Sequence, residues 1–422
     1  MTTGQRVVIV LFSLSLIAGL TTGNALHYRL AILWALLLTG AWAWSVLALR
    51  GLIVKRSART LRAQVGQIFE ERFDISNPKN LPRLWLGVFD GSPLPGTDGS
   101  RVLTMIPGRQ SRSYLARTRL LKRGVFPLGP TILESGDLFG IFPVKIQLPV
   151  RDSLLVYPLM VNVSGFPNPP GLNPGGEALR RRTHQITPNA SGVREYESGD
   201  PLNRIHWVST ARRGRLMVKE FELDPLADVW IFVDAEKSAH AEIQQTAPDY
   251  YAKDFWQRST KVTLPPATEE YAISIAASLA RDYLRRGRAV GLVSAGQHLA
   301  LIAPDRGGRQ LGKLLEALAL LHTEGSLPLR ALVETQVKHL ARGSTIVMIT
   351  PSVSESVAFT TDYLIQRGLR PVVVLLDVST FGGKTGTANL IDKIRILGVP
   401  TRSVAYGVDL EKALTAHAIM DV

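Results

Sequence analysis

The chain contains no cysteine. Disulfides, thiol nucleophiles and cysteine-ligated metals are therefore excluded, and nothing argues for an oxidising compartment. Acidic residues are scarce beside basic ones, 35 Asp and Glu against 49 Lys and Arg, for a formal charge of +14. Such a balance favours anionic partners: nucleic acid, acidic proteins or an anionic lipid surface.

Two catalytic motifs are also incomplete. The "GKT" at 383–385 follows a strand pattern and opens a helical one, but a phosphate-cradling loop needs glycine where Val378 stands. What remains is weak anion binding at a helix start. The "KTG" at 384–386 is the third motif of penicillin-binding proteins, which also require Ser-x-x-Lys opening a helix. The chain's Ser-x-x-Lys, "SNPK" at 76–79, has Pro78 inside it.

What is present begins with two long apolar runs. "VVIVLFSLSLIAGLTTGNAL" (7–26) and "LAILWALLLTGAWAWSVLAL" (30–49) each lack charge over 20 residues. At 1.5 Å per residue that is about 30 Å, the thickness of a bilayer core. They predict a transmembrane helical hairpin within residues 1–62, turning at "HYR". Arg50, Lys55, Arg56, Arg59 and Arg62 follow it, while the turn carries Arg29. The positive-inside rule then puts the remainder of the chain in the cytoplasm, against the inner (plasma) membrane. The alternative is a cleaved signal peptide over residues 1–25, which leaves the basic flank pointing inward all the same.

The 422 residues, 45% hydrophobic, suffice for two or three cores. From 63 to 165, short β-rich runs such as "RLWLGVFD" and "SLLVYP" are separated by Gly and Pro turns, the pattern of a small antiparallel β-sandwich. Residues 166–190 are a Pro/Gly-rich linker. From 225 to 422 apolar strand-length runs alternate with amphipathic helical spacing: "DVWIFVDA", "AVGLVSAG", "TIVMIT" and "RPVVVLLD" against "EEYAISIAASLARDYLRRG", "GRQLGKLLEALALLH" and "ANLIDKIRILG". That alternation predicts a mostly parallel, doubly wound α/β sheet. The stretch 236–268 shows no clear element and is long for a loop. Asp234 ends the first strand, with Glu236 and Ser238 two and four residues on. Hard oxygen donors at that spacing suit a Mg²⁺ ion, and a simple turn cap is the competing reading.

Between linker and sheet, residues 191–224 are dense in charge of both signs: "SGVREYESGDPLNRIHWVSTARRGRLMVKEFELD". A nucleic-acid strip would be dominated by Lys and Arg, so nucleic acid is not the expected partner here. Arg–carboxylate pairing in a charged network fits the composition better. "RLMVKEFEL" reads as a strand with Leu216 and Val218 on one face, Met217 and Phe221 on the other. His206 stands with no serine or carboxylate visibly paired to it.

This stretch closely resembles the signature of the bacterial domain of unknown function 58 family. Arg194, Tyr196, Gly199, Asp200, Arg204, Ile205, His206, Trp207, Ala211, Arg212, Leu216, Val218, Lys219 and Glu220 fall on its pattern. "KRGVFPLGPTILESGDLFGIF" (122–142) is similar to a second family segment. The resemblance implies a membrane-anchored protein with a von Willebrand factor A-like C-terminal half. It further implies partnership with a MoxR-type AAA ATPase, assembly or remodelling of partner complexes, and no established catalysis. Von Willebrand-type metal sites carry Asp-x-Ser-x-Ser. Asp234 and Ser238 match that pattern and Glu236 departs from it, so the resemblance implies a degenerate Mg²⁺ site. The chain therefore reads as a non-catalytic scaffold or adaptor. Two rival readings are a hydrolase or transferase using Asp200, His206 and Glu220, and anionic-lipid or nucleic-acid binding through basic surface.

Overall fold

The computed structural model describes residues 2–97, 99–167, 190–197, 205–221, 228–243 and 263–415, with the backbone alone at 190–192 and 219–221. Two helices open the chain, α1 (Thr3–Thr22) and α2 (Ala25–Ala48). Both are long and apolar enough to cross a membrane. They begin earlier than the expected 7–26 and 30–49, because capping chemistry rather than charge sets the reversal. Gly23 takes left-handed backbone (φ 66°) and closes α1 onto the Gly19 carbonyl, and the Asn24 side chain accepts from Leu26 N–H to start α2. Tyr28 thereby falls in the first turn of α2. Its ring lies over Gly19, where a Cβ would approach it to 3.3 Å.

Ten strands follow: β1 (Ile53–Ala58), β2 (Arg62–Gln64), β3 (Ile68–Asn77), β4 (Arg83–Asp90), β5 (Arg101–Ile106), β6 (Gln110–Arg119), β7 (Gly124–Pro127), β8 (Thr131–Ser135), β9 (Val144–Leu148) and β10 (Ser153–Tyr157). They form three small sheets, ordered β1-β3-β6, β2-β10-β7 and β5-β4-β8-β9. The strands start at 53 rather than 63, and β2 pairs with β10 in parallel. Alternation in β3 turns Phe69, Glu71, Phe73, Ile75 and Asn77 inward. Phe73 and Ile75 meet Leu86, Val88 and Leu133 from another sheet, with Ile106 and Tyr114, in one core.

Glu71 lies in that inward row without being orphaned. The Arg56 guanidinium donates to both of its carboxylate oxygens (2.6 and 2.8 Å) and to both of Asp90 (2.8 and 2.9 Å). The two carboxylates are 1% and 0% exposed. Paired forks of this kind are the geometry in which a buried arginine is well satisfied.

The later residues supply β11 (Ala190–Glu195), α3 (Trp207–Arg213), β12 (Met217–Phe221), β13 (Val229–Val233), α4 (Thr268–Arg285), β14 (Val290–Ala295), β15 (Leu299–Asp305), α5 (Gly308–Leu320), α6 (Leu329–Gln336), β16 (Thr345–Thr350), α7 (Ser356–Gln366), β17 (Arg370–Leu376), α8 (Thr387–Ile396), β18 (Thr401–Val404) and α9 (Leu410–Thr415). Six of these strands form one sheet in the order β15-β14-β13-β16-β17-β18. Its pairs are parallel except β14–β15, an antiparallel edge. The chain is thus a mixed α/β protein with two apolar N-terminal helices. Helix α6 went unread in the sequence, although Leu329, Leu332 and Val333 stand at helical spacing after Pro328 and are all buried.

By compactness the chain divides into two units. One comprises Met1–Val161, Glu242–Ser278 and Gly312–His322, the other Asn162–Ala241, Leu279–Leu311 and Thr323–Val422. In the first unit the described ends of the 236–268 stretch meet in an antiparallel bridge, Glu242 to Ala267. The same unit holds a second buried arginine. Arg123 pairs with Glu269 and Glu270, and donates to the Leu318 (3.3 Å) and Leu321 (2.7 Å) carbonyls. It thereby joins the acidic first turn of α4 to the carbonyl end of α5, where a cation is favoured.

Candidate functional site

The signature stretch folds as a hairpin with a helix set into it. β11 and β12 pair antiparallel, placing Arg194 opposite Val218 and Glu195 opposite Met217. On the far side of β12, Ile205 bridges to Val218 and His206 N–H donates to the Met217 carbonyl (2.7 Å). β12 is therefore paired on both edges. Met217 and Val218 are both buried while Leu216 is exposed. The described backbone accounts for this: Thr210 Oγ1 accepts from Met217 N–H (3.0 Å) and seats α3 on the strand.

Helix α3 was not anticipated. It is seven residues long and shows no apolar periodicity, so only its ends signal it. His206 Nδ1 accepts from the Ser209 amide (3.3 Å) and contacts Ser209 Oγ (2.7 Å), an N-cap. Gly214 closes the other end with left-handed backbone (φ 64°). The expectation that no serine pairs with His206 is corrected: Ser209 does, one turn away on the same helix. That closeness is what a capping bond requires, and it needs no substrate.

The remaining signature residues sit as follows. Arg194 donates to the Glu195 carbonyl (2.9 Å), and the ion pair recorded in the stretch among the described residues is Arg215–Glu195 (2.8 Å), with both side chains mostly exposed. Tyr196 N–H bonds the Leu216 carbonyl. Trp207 and Val208 are exposed, 67% and 59%. Ala211, Arg212 and Arg213 are exposed on the same short helix. Lys219 and Glu220 are described by backbone only, opposite Val193 and Gly192. Gly199, Asp200 and Arg204 lie outside the described residues. Arg212 and Arg213 form no ion pair among the described residues. Bidentate Arg–carboxylate pairing is found at Arg56, outside this stretch.

At the carboxyl ends of β13 and β16, Asp234 is 1% exposed. Its carboxylate accepts from Thr350 Oγ1 (2.6 Å) and Glu236 N–H (3.1 Å). Burial pushes this carboxyl above its ordinary range, while the Thr350 and Glu236 hydrogen bonds pull the other way. Ser238 Oγ donates to Glu236 (2.5 Å) rather than turning toward Asp234, and His240 Nε2 meets the Asp234 carbonyl (2.9 Å). Both carboxylate oxygens of Asp234 and one of Glu236 have protein partners, and among the described residues no cluster of three His, Asp or Glu is placed to hold a metal. In this arrangement the set caps the strand end, the Thr350–Asp234 hydrogen bond tying β16 to β13. Gly325 packs into the same turn, donating to the Ala235 carbonyl, and a Cβ there would meet the Ala295 carbonyl at 2.0 Å.

Comparison with known proteins agrees with the signature. Residues 192–362 match the family described as protein of unknown function DUF58. The "Uncharacterized protein YeaD" of Bacillus subtilis (strain 168) is 24% identical over 226 residues, covering 53% of this chain and 49% of the relative. The match thus spans about half the length of that curated relative. Among solved structures, a GH20 exo beta-N-acetylglucosaminidase from Vibrio harveyi aligns at 9% identity and TM-score 0.16, covering 77% of this chain and 57% of that one. A cycloisomaltooligosaccharide glucanotransferase from Paenibacillus sp. aligns at 10% and 0.16, covering 84% and 53%. Scores that low carry no argument about fold or activity.

Proposed function

We propose, from the DUF58 match over residues 192–362 and the geometry of α3, that the protein is a membrane-anchored scaffold whose signature helix docks an acidic partner polypeptide. The observation that carries this reading is the exposure of Trp207 and Val208, and of Arg212 and Arg213, on a helix capped at both ends. Aromatic and arginine side chains dominate the energetics of protein interfaces, and a short helix carrying an exposed indole and two exposed cations suits a partner with an apolar notch and acidic rim. Lys219 and Arg204 extend the same basic character along the signature. The partner in this reading is a MoxR-type AAA ATPase, with which the protein assembles or remodels other complexes.

The anchor is the α1–α2 hairpin, spanning the inner membrane with the rest of the chain on the cytoplasmic side, as the basic flank from Arg50 to Arg62 favours. The six-stranded sheet is read as a von Willebrand factor A-like, doubly wound docking module. Its strand order and single antiparallel edge support that reading. The module works without a bound metal, Asp234 serving to tie β13 to β16. No residue is assigned a catalytic role. His206 caps its own helix, and that engagement favours the docking role over the hydrolase reading.

The test is co-isolation from native membranes, wild type against Arg212→Ala. Loss of an AAA ATPase from the variant's eluate supports the reading, and equal recovery counts against it.

A further inference from the structure

The loop between β8 and β9 stands out in the first unit. Leu138 and Phe139 are 70% and 67% exposed, among the most exposed large apolar side chains of the described chain. Nothing in this exposure comes from looseness of the loop. Asp137 is buried, and its carboxylate accepts from the backbone N–H groups of Phe139 (2.9 Å), Ile141 (3.1 Å) and Phe142 (2.6 Å). The Asp137 carbonyl in turn accepts from Trp85 Nε1 (3.4 Å). Three amides gathered on one carboxylate fix the turn and hold two apolar side chains outward.

The place of this turn is equally well defined. Thr2, the N-cap of α1, donates its hydroxyl to the Ile141 carbonyl (2.9 Å). Ser45, near the end of α2 and 3% exposed, donates to the Phe142 carbonyl (2.6 Å). Because the two helices run antiparallel, the start of α1 and the end of α2 are the same end of the hairpin. The loop is therefore bonded to both helices at one end of the apolar span. Helix α1, at 20 residues, is about as long as a bilayer core is thick, so its first residue lies at the interface. Phe139 is two residues from Ile141, a reach of at most about 7 Å. An exposed leucine and phenylalanine at that level, with exposed Arg50 and Lys145 on neighbouring segments, have the composition of an interfacial anchor.

We propose that Leu138 and Phe139 insert into the headgroup and upper acyl region of the same leaflet that receives the ends of α1 and α2, making the β8–β9 loop a third membrane contact that fixes the tilt of the β-rich part against the bilayer. The occupant is lipid because the loop is hydrogen-bonded to both helices at one end of the apolar span. Exposed Trp42 and Leu47 lie on α2 near Ser45. The proposal rests on the hairpin crossing the membrane, and its test separates the two.

The absence of cysteine makes the experiment clean. Single cysteines at Phe139→Cys, Leu36→Cys and Val125→Cys carry an environment-sensitive fluorophore, in full-length protein reconstituted into phosphatidylcholine–phosphatidylglycerol vesicles. Leu36 is mid-helix in α2, and Val125 is an exposed position on β7. Quenching is read with lipids spin-labelled at the fifth or the twelfth acyl carbon. The expected result is that the Leu36 probe is quenched more by the deep label. The Phe139 probe loses most of its emission to the shallow label, and the Val125 probe is unaffected. A quenched Leu36 probe with an unquenched Phe139 probe overturns the anchor while leaving the hairpin intact. An unquenched Leu36 probe overturns the hairpin and the anchor with it. As a readout that keeps Phe139, Leu138→Cys labelled in the same way must follow the Phe139 pattern, and its failure to do so contradicts the proposal.

Discussion

His206 Nδ1 and Ser209 Oγ lie 2.7 Å apart across the first turn of α3, and the Ser209 amide donates to the same nitrogen. A histidine so engaged satisfies one of the helix's unpaired amides. That engagement distinguishes a cap from a base, and the difference is measurable. His206→Asn and His206→Asp retain an N-cap acceptor and are expected to fold and to bind partner as wild type. His206→Ala is expected to cost about 1 kcal/mol in chemical denaturation of the second unit. Loss of function in the Asn variant at unchanged stability would show the imidazole doing chemistry.

Arg56 carries the largest stability prediction. Replacing it with methionine strands the Glu71 and Asp90 carboxylates in the β core, a class of change that costs about 3–5 kcal/mol. Arg56→Lys keeps the charge but cannot fork onto two carboxylates, so it is expected to fall between methionine and wild type. Equilibrium unfolding monitored by tryptophan fluorescence checks the order. Wild-type stability in Arg56→Met would contradict the assignment.

Tyr114 and Tyr283 predict an alkaline limit. Tyr114 donates to the Gly99 carbonyl (2.8 Å) and Tyr283 to the Pro167 carbonyl (2.9 Å), and burial raises both phenols above their ordinary value. An unfolded tyrosine ionises near pH 10, whereas the folded ones resist. Their contribution is therefore fully present below about pH 10 and is lost as the pH rises toward the folded values. The Tyr114→Phe/Tyr283→Phe variant is expected to be about 1–3 kcal/mol less stable at neutral pH and to lose less on titration from pH 9 to 11. Parallel curves for the two proteins would contradict the burial argument.

Asp234 separates a cap from a metal ligand. Asp234→Asn preserves an acceptor for Glu236 N–H and a polar contact to Thr350, and is expected to melt close to wild type. Asp234→Ala removes the acceptor of the buried Thr350 O–H, whose oxygen still accepts from Ser352 N–H, and is expected to lose about 1–3 kcal/mol. Thermal melts with and without millimolar Mg²⁺ should coincide for all three proteins. A Mg²⁺-dependent rise in Tm in the wild type that Asp234→Asn abolishes would establish the metal reading.

What the sequence disclosed followed from periodicity. The strands at 229–233, 290–295, 345–350 and 370–376 and the helix at 268–285 lie where continuous apolar runs and helical spacing put them. Elements governed by a few end-residues were not legible. The hairpin turn fell to Gly23 and Asn24 instead of the charged triplet, and α3 has seven residues bounded by a histidine cap and a glycine. Long-range pairing was invisible for a different reason. Arg123 meets Glu269 across 146 positions, and nothing in the local pattern of "KRG" announces a partner at that distance. Of the candidate site, the exposed Trp207 and Arg212 were legible as signature residues, but their placement on one capped helix was not. The Leu138–Phe139 turn passed as an ordinary part of a β segment, because its meaning depends on Thr2 and Ser45 lying against it.

The docking role of α3 is the central claim, and one affinity measurement tests it most directly. The full-length protein in lipid nanodiscs is titrated with a purified MoxR-type AAA ATPase from the same cell, wild type against Trp207→Ala/Arg212→Glu, with circular dichroism confirming equal folding. The account predicts binding weakened at least about tenfold in the variant, the loss expected when a central aromatic and a cation leave an interface. Equal dissociation constants for the two proteins would contradict it.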